Sequence, residues 1–539
     1  MPVTRHAIIL CPRPHIWIYS TYETTNFSFS SLPIMTTFTK LRAGESPLIE
    51  VDAAKRLSKI DPMTYGGFTE HMGRCIYGGI YDPGNPFSDA NGFRKDVISA
   101  LKELGVPVIR YPGGNFCATY HWQDGIGPRE KRPSRPELAW LGIETNQFGT
   151  DEFMAWLSVL SEDLPEGQRV EPYICLNMGT GTLDEALAWV EYCNGTRDTY
   201  YANLRRANGH DAPYRVKYWA LGNEVWGPWQ IEQMTAEDYA KKAAQWAKAL
   251  RLLDPDIVLI LCGQDGTASW DHTVLQACVP VVDMHSIHIY TAAGTSHLKN
   301  VTAPLAAERA IRITASLIEL ARIERAVPVS KPPTKICFDE WNVWDPERAP
   351  GDKGAEEMYT LSDALAVAVW LNVFVRQSRY IGMANIAQTV NVISPLMTTK
   401  DGIVKQSTWW PLLLFSRYMR GWTVAAHVRA GAYDGETQPA WLQGTLEDGA
   451  AWLDISASVD DQGYVSLSVV NISDTEDCDA EVKGIAGRDI SVYTVNARHV
   501  TSTNTEGKEE VGLAEDTWNG DEGSYKFPKH SFTMLRWKF

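Results

Sequence analysis

The sequence predicts an α/β chain plus an all-β region: a (β/α)₈ TIM barrel followed by a C-terminal β-sandwich. Its 539 residues exceed what one hydrophobic core usually serves. Between about residues 64 and 400, apolar β-type runs alternate with helical patterns eight times. After about residue 410, short alternating segments separated by Gly- and Asp-rich turns replace that pattern. The first pattern is typical of a barrel and the second of a sandwich.

The barrel strands are expected where apolar β-type runs are bounded by turns. Between them, Thr235 and Asp238 resemble a capping box and predict a helix over Thr235–Leu253. The run Met358–Phe374 is apolar nearly all round, which predicts a buried helix. The predicted strands are Tyr65–Glu70, Val106–Tyr111, Glu171–Asn177, Val216–Gly222, Asp256–Cys262, Val282–Tyr290, Lys335–Glu340 and Ile381–Gln388.

The domain boundaries follow from these changes of pattern. Residues 1–40 lack periodicity and are rich in Ser, Thr and Pro, which predicts a disordered N-terminal extension. Residues 41–60 contain a strand-like run that we expect to join the sandwich, 61–405 form the barrel, and 406–539 form the sandwich. The predicted sandwich strands are Ala451–Ser456, Tyr464–Asn471, Cys478–Lys483, Ser491–Asn496 and Ser531–Phe539.

Composition excludes some partners. A net charge of −16 argues against nucleic acid and anionic membrane surfaces. No run approaches the roughly 20 apolar residues of a membrane span, and the short run Ile8–Leu10 is too brief for a secretory signal. The nine cysteines are odd in number and contain no CxxC pair, which predicts free thiols in a reducing compartment. We therefore expect a cytoplasmic protein.

Two segments carry the strongest chemical signal, Tyr218–Trp226 and Lys335–Asn342. Each segment predicts a buried strand that is followed at its carboxyl end by a glutamate next to tryptophan. These glutamates are Glu224 and Glu340. Catalytic side chains of a barrel lie at the carboxyl ends of its strands, so the ends of the fourth and seventh strands can direct both carboxylates into one cleft. A single such glutamate is more often a loop residue in an ion pair. The pair indicates glycoside hydrolysis, which needs two carboxylates.

Several other polar residues also end predicted strands. Hydroxyl-rich ligands need many directional donors and acceptors, and this set supplies them. Taken singly, each is more often structural; Arg110, for example, is a candidate buried partner of a glutamate. Gly113-Gly114 is expected to let the backbone turn sharply so that Asn115 faces the cleft. The set comprises Glu70, Arg110, Asn115, Asn177, His288, Tyr290 and Gln388.

Metal and nucleotide chemistry are not indicated. His285 and His288 lie three apart on a predicted strand and so point to opposite faces. There is no HExxH or Cys/His cluster, and the Gly-rich runs lack a P-loop or dinucleotide pattern. We expect no metal and no cofactor.

Four motifs together resemble glycoside hydrolase family 51, which consists mainly of α-L-arabinofuranosidases. They are Gly67–His71, Arg110–Phe116, Gly222–Trp226 and Asp339–Asn342, and the resemblance covers about residues 45–539. An Asn-Glu pair after the fourth strand is shared by a wider clan of barrel hydrolases. The resemblance implies a barrel plus sandwich, a retaining mechanism, and a homo-oligomer, often a hexamer.

The resemblance also implies residue roles. Glu224 becomes the general acid/base, Glu340 the nucleophile, and Arg110 the support of the nucleophile. Asn223 would bond the sugar 2-hydroxyl. Trp140 would close the pocket and Trp344 would stack near the sugar. The remaining residues around the sugar are Glu70, Asn115, His288, Tyr290 and Gln388.

The predicted function is a retaining, exo-acting α-L-arabinofuranosidase that releases arabinofuranose from arabinoxylan- or arabinan-derived oligosaccharides by double displacement. One alternative keeps the scaffold but changes the sugar, as a β-xylosidase or endo-glucanase. An open cleft around Trp140 and Trp344 would favour the endo-acting alternative. Another alternative is a non-catalytic carbohydrate-binding protein, against which the intact glutamate pair argues.

Overall fold

The barrel wall consists of eight parallel strands, as predicted. A computed structural model of the chain describes residues 35–292, 296–345, 355–485 and 487–539. Each barrel strand pairs with the next in chain order, and Gly66 closes the ring by bridging to Asn385. The strands are Gly67–Phe68, Val108–Tyr111, Glu171–Cys175, Tyr218–Leu221, Val258–Leu261, Met284–Ala292, Lys335–Trp344 and Ile381–Ile386.

The α-helices lie between the barrel strands and after the last of them. The predicted cap is present: the Thr235 hydroxyl accepts a hydrogen bond from the backbone N–H of Asp238 at 3.2 Å. The described helices are Lys95–Leu104, Thr150–Ser161, Leu183–Asn194, Tyr200–Ala207, Ala236–Leu253, Ser269–Cys278, His297–Thr302, Leu305–Glu324, Leu361–Arg376 and Trp409–Tyr418. Short 3₁₀ turns are Pro62–Tyr65, Asn115–Thr119, Trp122–Gly125, Arg129–Lys131, Ala440–Thr445 and Gly520–Glu522.

The helix Leu361–Arg376 is buried on every side from Leu361 to Val375. Its Trp370 contacts Phe338 of the seventh barrel strand, with ring centroids 5.4 Å apart. On another side, the Asn372 amide donates to Asp454 of the sandwich at 2.7 Å. The predicted all-round apolar character therefore reflects a helix between the barrel and the sandwich.

The second domain is a ten-stranded, mostly antiparallel sheet with its own apolar core. Its core includes Ile49, Leu467 and Trp537. The strands are Thr37–Lys40, Leu48–Lys59, Trp422–Ala430, Leu453–Val459, Tyr464–Asn471, Cys478–Lys483, Ile490–Asn496, Gly512–Trp518, Ser524–Phe527 and Ser531–Lys538. Two-stranded ribbons complete the fold: Arg135–Pro136 with Ile143–Glu144, Leu396–Thr398 with Ile403–Lys405, Ala432–Tyr433 with Ala450–Ala451, and Asn504–Thr505 with Lys508–Glu509.

The predicted disorder of residues 1–40 needs a correction at its carboxyl end. Thr37–Lys40 forms a strand parallel to Trp422–Ala430, and the Thr37 hydroxyl lies 2.8 Å from Nδ1 of His427. The partner is almost 400 residues away, so no local pattern marks this strand. Residues 1–34 lie outside the described part of the chain.

Two further observations concern the whole chain. The eight cysteines among the described residues are all free, and seven are buried, as predicted; Cys11 lies outside the described part. Among the helices described, none combines the length and the apolar character that crossing a bilayer requires.

Candidate active site

Glu224 and Glu340 stand at the carboxyl ends of the fourth and seventh barrel strands and meet in one cleft. A carboxylate oxygen of Glu224, one of Glu340 and a ring nitrogen of His288 all lie within 4.8 Å of one another. Glu224 has a φ of 42°, in the left-handed region that non-glycine residues seldom adopt. Such strain costs about 1–3 kcal/mol and concentrates at functional sites.

Both oxygens of Glu340 accept short hydrogen bonds. Nη1 of Arg110 donates to Oε1 at 2.5 Å, and the Tyr290 hydroxyl donates to Oε2 at 2.8 Å. The guanidinium of Arg110 is buried 4.6 Å from the centre of the Phe68 ring. Burial alone would lower the pKa of Arg110, but Asp339 and Glu340 raise it well above its ordinary value. Glu340 therefore faces a permanently charged donor on one oxygen and a hydroxyl on the other.

Glu224 occupies a more open position. Oε2 accepts a hydrogen bond from the Trp229 indole N–H at 3.0 Å, and Oε1 lies 2.9 Å from Nδ1 of His288. The Glu224 side chain is 12% exposed, and Trp229 is 56% exposed. Glu224 therefore stands where a leaving group or a water molecule can reach it.

His288 connects the carboxylates of the site. Its Nε2 lies 3.2 Å from Oδ1 of Asp339, and its Nδ1 lies 3.7 Å from Oε2 of Glu340. Burial alone would lower the pKa of His288, but Glu340 and Asp339 raise it to about 10. In turn, burial would raise the pKa of Asp339, but Arg110 and His288 hold it well below its usual range. A charged imidazolium therefore faces three carboxyl groups.

The neighbours Asp339 and Glu340 both reach Arg110, although successive side chains of a strand normally point to opposite faces. Nε of Arg110 lies 3.6 Å from Asp339, and Nη1 lies 2.5 Å from Glu340. The register with the eighth strand shifts between Phe338 and Trp341, which marks a bulge at this point. Bulges re-aim side chains and are over-represented beside active sites.

Glu70 is a buried carboxyl group on the floor of the cleft. Its Oε1 accepts hydrogen bonds from the backbone N–H of Gly114 at 3.0 Å and of Phe116 at 3.1 Å. Its Oε2 accepts from the Gln388 amide at 3.0 Å. Burial, followed by the charge of Glu340, raises the pKa of Glu70 to about 8. Burial therefore favours the protonated form of Glu70, which can donate as well as accept a hydrogen bond.

The glycines Gly113 and Gly114 serve the predicted turn and a second purpose. The backbone bends at Gly114, and Asn115 lines the cavity, as predicted. A Cβ on Gly113 would lie 2.6 Å from Cγ of Glu70, and one on Gly114 would lie 2.8 Å from Oε1 of Glu340. The backbone passes so close to both carboxyl groups that no side chain fits there.

A cavity of about 780 Å³ opens over the carboxylate pair. Its volume lies in the range of about 300–1,000 Å³ that is typical of small-molecule sites. Nine residues predicted from the sequence line it: Glu70, Asn115, Trp140, Glu224, His288, Tyr290, Glu340, Trp344 and Gln388.

Trp140 is held over the cavity by its own loop. The Glu137 carboxylate accepts hydrogen bonds from the backbone N–H groups of Ala139 and Trp140, both at 2.6 Å. The Trp140 indole N–H donates to Glu70 at 3.2 Å. The loop therefore positions an aromatic ring beside the buried carboxyl group.

The donor set does not suit a cation, although the spacing of Glu224, His288 and Glu340 falls within the range of metal sites. Metal ligands must be deprotonated, and Glu340 and Asp339 raise the pKa of His288 to about 10, so a metal ion would have to displace its proton. Both oxygens of each glutamate already face donors of the protein. The cluster is better suited to acid–base chemistry than to metal binding.

Comparison with known proteins identifies the family. The family model "Alpha-L-arabinofuranosidase 1 domain" matches residues 100–302, and "Alpha-L-arabinofuranosidase C-terminal domain" matches 339–531. A protein of Aspergillus clavatus named probable alpha-L-arabinofuranosidase C is 67% identical over 94% of this chain and 100% of its own length. The chain belongs to the α-L-arabinofuranosidases of glycoside hydrolase family 51. It is therefore an exo-acting, retaining glycoside hydrolase.

Two other comparisons agree with this family 51 assignment. The solved structure of the thermostable family 51 α-L-arabinofuranosidase from Thermotoga petrophila RKU-1 has a TM-score of 0.83 and 37% identity, covering 92% of this chain and 100% of that chain. An enzyme of Halalkalibacterium halodurans named intracellular exo-α-(1→5)-L-arabinofuranosidase is 39% identical over 72% of this chain and 78% of its own length.

Two predicted residues of this family 51 enzyme, Arg110 and Asn223, are buried beside the carboxylate pair and are not among the cavity-lining residues. Nη2 of Arg110 donates to Oδ1 of Asn223 at 2.7 Å, and Nδ2 of Asn223 donates to Asn115 at 3.2 Å. Asn177, also marked by its strand-end position, is not among the cavity-lining residues; its amide donates to Tyr120 and Thr180. A position at the end of a strand is therefore not sufficient to place a residue in the cavity, as Asn177 shows.

Sequence reasoning gave no role to Asp339, Trp229 and Trp441, although all three belong to the site or its cavity. Asp339 was adjacent to a predicted catalytic residue, but strand alternation placed it on the other face. Trp229 lies in the loop five residues after Glu224, where aromatic residues carry no periodic signal. Trp441 comes from the sandwich, far along the chain.

Replacing Arg110 by methionine is expected to lower the free energy of unfolding by about 3–5 kcal/mol, because the buried Asp339 and Glu340 then keep only His288 as a positively charged partner. The measurement is the urea midpoint at neutral pH. Arg488→Met is the matched control, since its ion pair with Asp521 has an 81% exposed arginine and should matter little. Equal shifts of the urea midpoint in Arg110→Met and Arg488→Met would contradict the stabilising role of Arg110.

Proposed function

We propose that Glu340 is the nucleophile and Glu224 the general acid/base in the hydrolysis of terminal α-L-arabinofuranosides. The observation that carries this proposal is the approach of the two carboxylates, with oxygens within 4.8 Å. Retaining enzymes hold their carboxyl groups about 5–5.5 Å apart, whereas inverting enzymes need about 6.5–9.5 Å to admit a water molecule.

The environments of the two carboxylates support this division of roles. A nucleophile must be ionised, and Glu340 faces the charged Arg110 guanidinium at 2.5 Å. An acid/base must exchange protons with a leaving group and then with water, and Glu224 is at the open side of the pair. The reverse assignment would give proton exchange to Glu340, whose Oε1 is bonded to the buried Arg110 guanidinium and whose Oε2 is bonded to the Tyr290 hydroxyl.

In the first step Glu340 attacks the anomeric carbon while Glu224 protonates the departing glycosidic oxygen. The imidazolium of His288 faces Oε1 of Glu224, which leaves Oε2 to carry the transferable proton. The C–O bond to the leaving group breaks, its electron pair takes that proton, and an ester joins the sugar to Glu340.

In the second step the ester removes the negative charge of Glu340, and Glu224 is now an anion. Glu224 accepts a proton from water, which attacks the same anomeric carbon and displaces Glu340. The charged His288 beside Glu224 stabilises this anion. Two displacements restore the starting configuration.

The remaining residues hold the furanose. With its Oδ1 bonded to Arg110 and one amide hydrogen to Asn115, Asn223 keeps one amide hydrogen for a sugar hydroxyl. Protonated Glu70 offers a further donor. The Tyr290 and Trp344 rings meet edge to face at 5.4 Å and form an aromatic wall.

We propose short arabinoxylan- or arabinan-derived oligosaccharides as substrates. Support comes from the cavity, which Trp140 and Trp344 border, and from the name of the H. halodurans relative, which specifies α-(1→5) linkages. A homo-oligomer, a hexamer by family resemblance, and a cytoplasmic location stay predictions.

The substrate test compares an aryl α-L-arabinofuranoside with an aryl β-D-xylopyranoside. We expect hydrolysis of the arabinoside, with α-L-arabinofuranose as the first product by proton NMR. Turnover of the xyloside alone would reject the sugar assignment and favour a β-xylosidase. Turnover of neither, with cleavage of a β-glucan polymer, would favour an endo-glucanase. Turnover of no substrate would favour a binding protein.

A further inference from the structure

The cavity is larger than a single arabinofuranose needs. At about 780 Å³ it falls in the upper part of the range that accommodates drug-sized ligands, which are several times larger than one pentose. Its lining extends from the carboxylate pair to residues of three other elements: Gln264, Asp265, Thr267, Ala306, Pro439 and Trp441. Pro439 and Trp441 belong to a segment of the sandwich domain.

Hydrogen bonds connect the loop after Glu224 to the loop after the fifth strand, and that second loop to the helix Leu305–Glu324. Trp226, two residues after Glu224, donates its indole N–H to the carbonyl of Gly263 after the fifth strand at 3.0 Å. The carbonyl of Gly266 accepts from the Thr314 hydroxyl of the helix Leu305–Glu324 at 3.4 Å. The loop that supplies Gln264, Asp265 and Thr267 to the cavity therefore lies next to the loop that follows Glu224, and Glu224 lines the same cavity.

The sandwich segment is fixed to the barrel helices at both ends. At one end, Nζ of Lys299 lies 2.5 Å from the Glu436 carboxylate. At the other, the Arg309 guanidinium donates to the carbonyl of Thr445. Within the segment, the Thr437 hydroxyl donates to the Pro439 carbonyl at 3.0 Å. The segment therefore presents Pro439 and Trp441 to the cavity from a secured backbone.

The groups on this arm suit a carbohydrate chain. Trp441 lines the cavity and is 49% exposed, so its indole is not fully covered by protein contacts. Aromatic rings offer large apolar faces with little loss of conformational freedom. Gln264 and Gln438 also line the cavity, and neither side-chain amide has a hydrogen-bond partner among the described residues. An aromatic face with free amides is the combination that a sugar ring requires.

We propose that Gln438–Trp441 of the sandwich domain forms a subsite for the leaving-group side of the substrate, with Trp441 as its stacking platform. The occupant is a sugar unit of the oligosaccharide beyond the cleaved bond. This inference rests on the proposed function, because Glu224 as acid/base defines which side receives the leaving group. The sandwich thereby contributes to the preference for chain length.

The test compares α-1,5-linked arabinotetraose with an aryl α-L-arabinofuranoside in wild type and Trp441→Ala. We expect kcat/KM for arabinotetraose, divided by kcat/KM for the aryl arabinofuranoside, to fall about five- to tenfold in Trp441→Ala. A fall of this size is the effect of losing one aromatic contact. Arabinobiose should show a smaller change, since its short leaving group extends less far along the arm. Trp441→Phe should restore most of the ratio.

The matched control is Tyr200→Ala, which removes an aromatic ring that is 73% exposed and does not line the cavity; its ratio should stay unchanged. An unchanged ratio in Trp441→Ala would overturn the subsite. An equal fall of kcat/KM for both substrates in Trp441→Ala would also overturn the subsite, because it would indicate that Trp441 only packs against the protein. A wild-type enzyme inactive on both would instead reject the proposed function, and the subsite with it.

Discussion

Replacing Glu340 by glutamine is expected to lower kcat for α-L-arabinofuranosides by about 10⁴-fold or more, because the amide cannot form the glycosyl ester. Glutamine keeps the shape of the side chain, so Arg110 and Tyr290 retain a partner of the same size. The measurement is steady-state hydrolysis of an aryl arabinofuranoside, with thermal unfolding to verify the fold.

Glu191→Gln is the control for this variant. Glu191 is also partly buried and accepts a hydrogen bond from the backbone N–H of Tyr201 at 2.8 Å, but it does not line the cavity. We expect its kcat to stay near that of the wild type. A folded Glu340→Gln enzyme with more than a few per cent of wild-type activity would contradict the nucleophile assignment.

Replacing Glu224 by alanine should lower the rate by about 10²–10⁴-fold for oligosaccharides, whose leaving groups need protonation, and much less for activated aryl arabinofuranosides. Azide should restore turnover of the aryl substrate and give the α-L-arabinofuranosyl azide. The truncated side chain leaves space beside Trp229, at the open side of the pair, for the small anion.

The stereochemistry of the azide product separates the two roles. In Glu224→Ala the azide replaces water in the second displacement, so the configuration is retained. In Glu340→Ala an azide can act only by a single displacement from the opposite face, which gives the β-azide. A β-azide from Glu224→Ala would show that the roles of the two glutamates are exchanged.

Local sequence patterns sufficed for the barrel. Each predicted barrel strand has its counterpart, because parallel strands buried on both faces read as continuous apolar runs. Sandwich strands were predicted less completely: Thr37–Lys40, Trp422–Ala430, Gly512–Trp518 and Ser524–Phe527 were missed. The last two are largely solvent-facing or lie near the sheet edge, where apolar alternation is weak.

The two glutamates could be predicted from the sequence because each follows a recognisable barrel strand. A residue at the carboxyl end of a barrel strand points to one common face whatever the rest of the chain does. The strand-end position therefore located Glu224 and Glu340 before any contact was known. The direction of Asp339 was not accessible, since it depends on a bulge whose register involves the eighth strand.

The sequence by itself thus determined the barrel, the presence of a sandwich, the family and the carboxylate pair, because each of these depends on local periodicity or on contiguous motifs. Only the tertiary structure decided the charge of His288, the protonation of Glu70, the need for glycine at Gly113 and Gly114, and the place of Trp441 in the cavity. These properties arise from groups that are distant in sequence and meet only when the chain folds. Burial and neighbouring charges set a pKa, and the close approach of the Glu70 and Glu340 side chains limits the space at the two glycines.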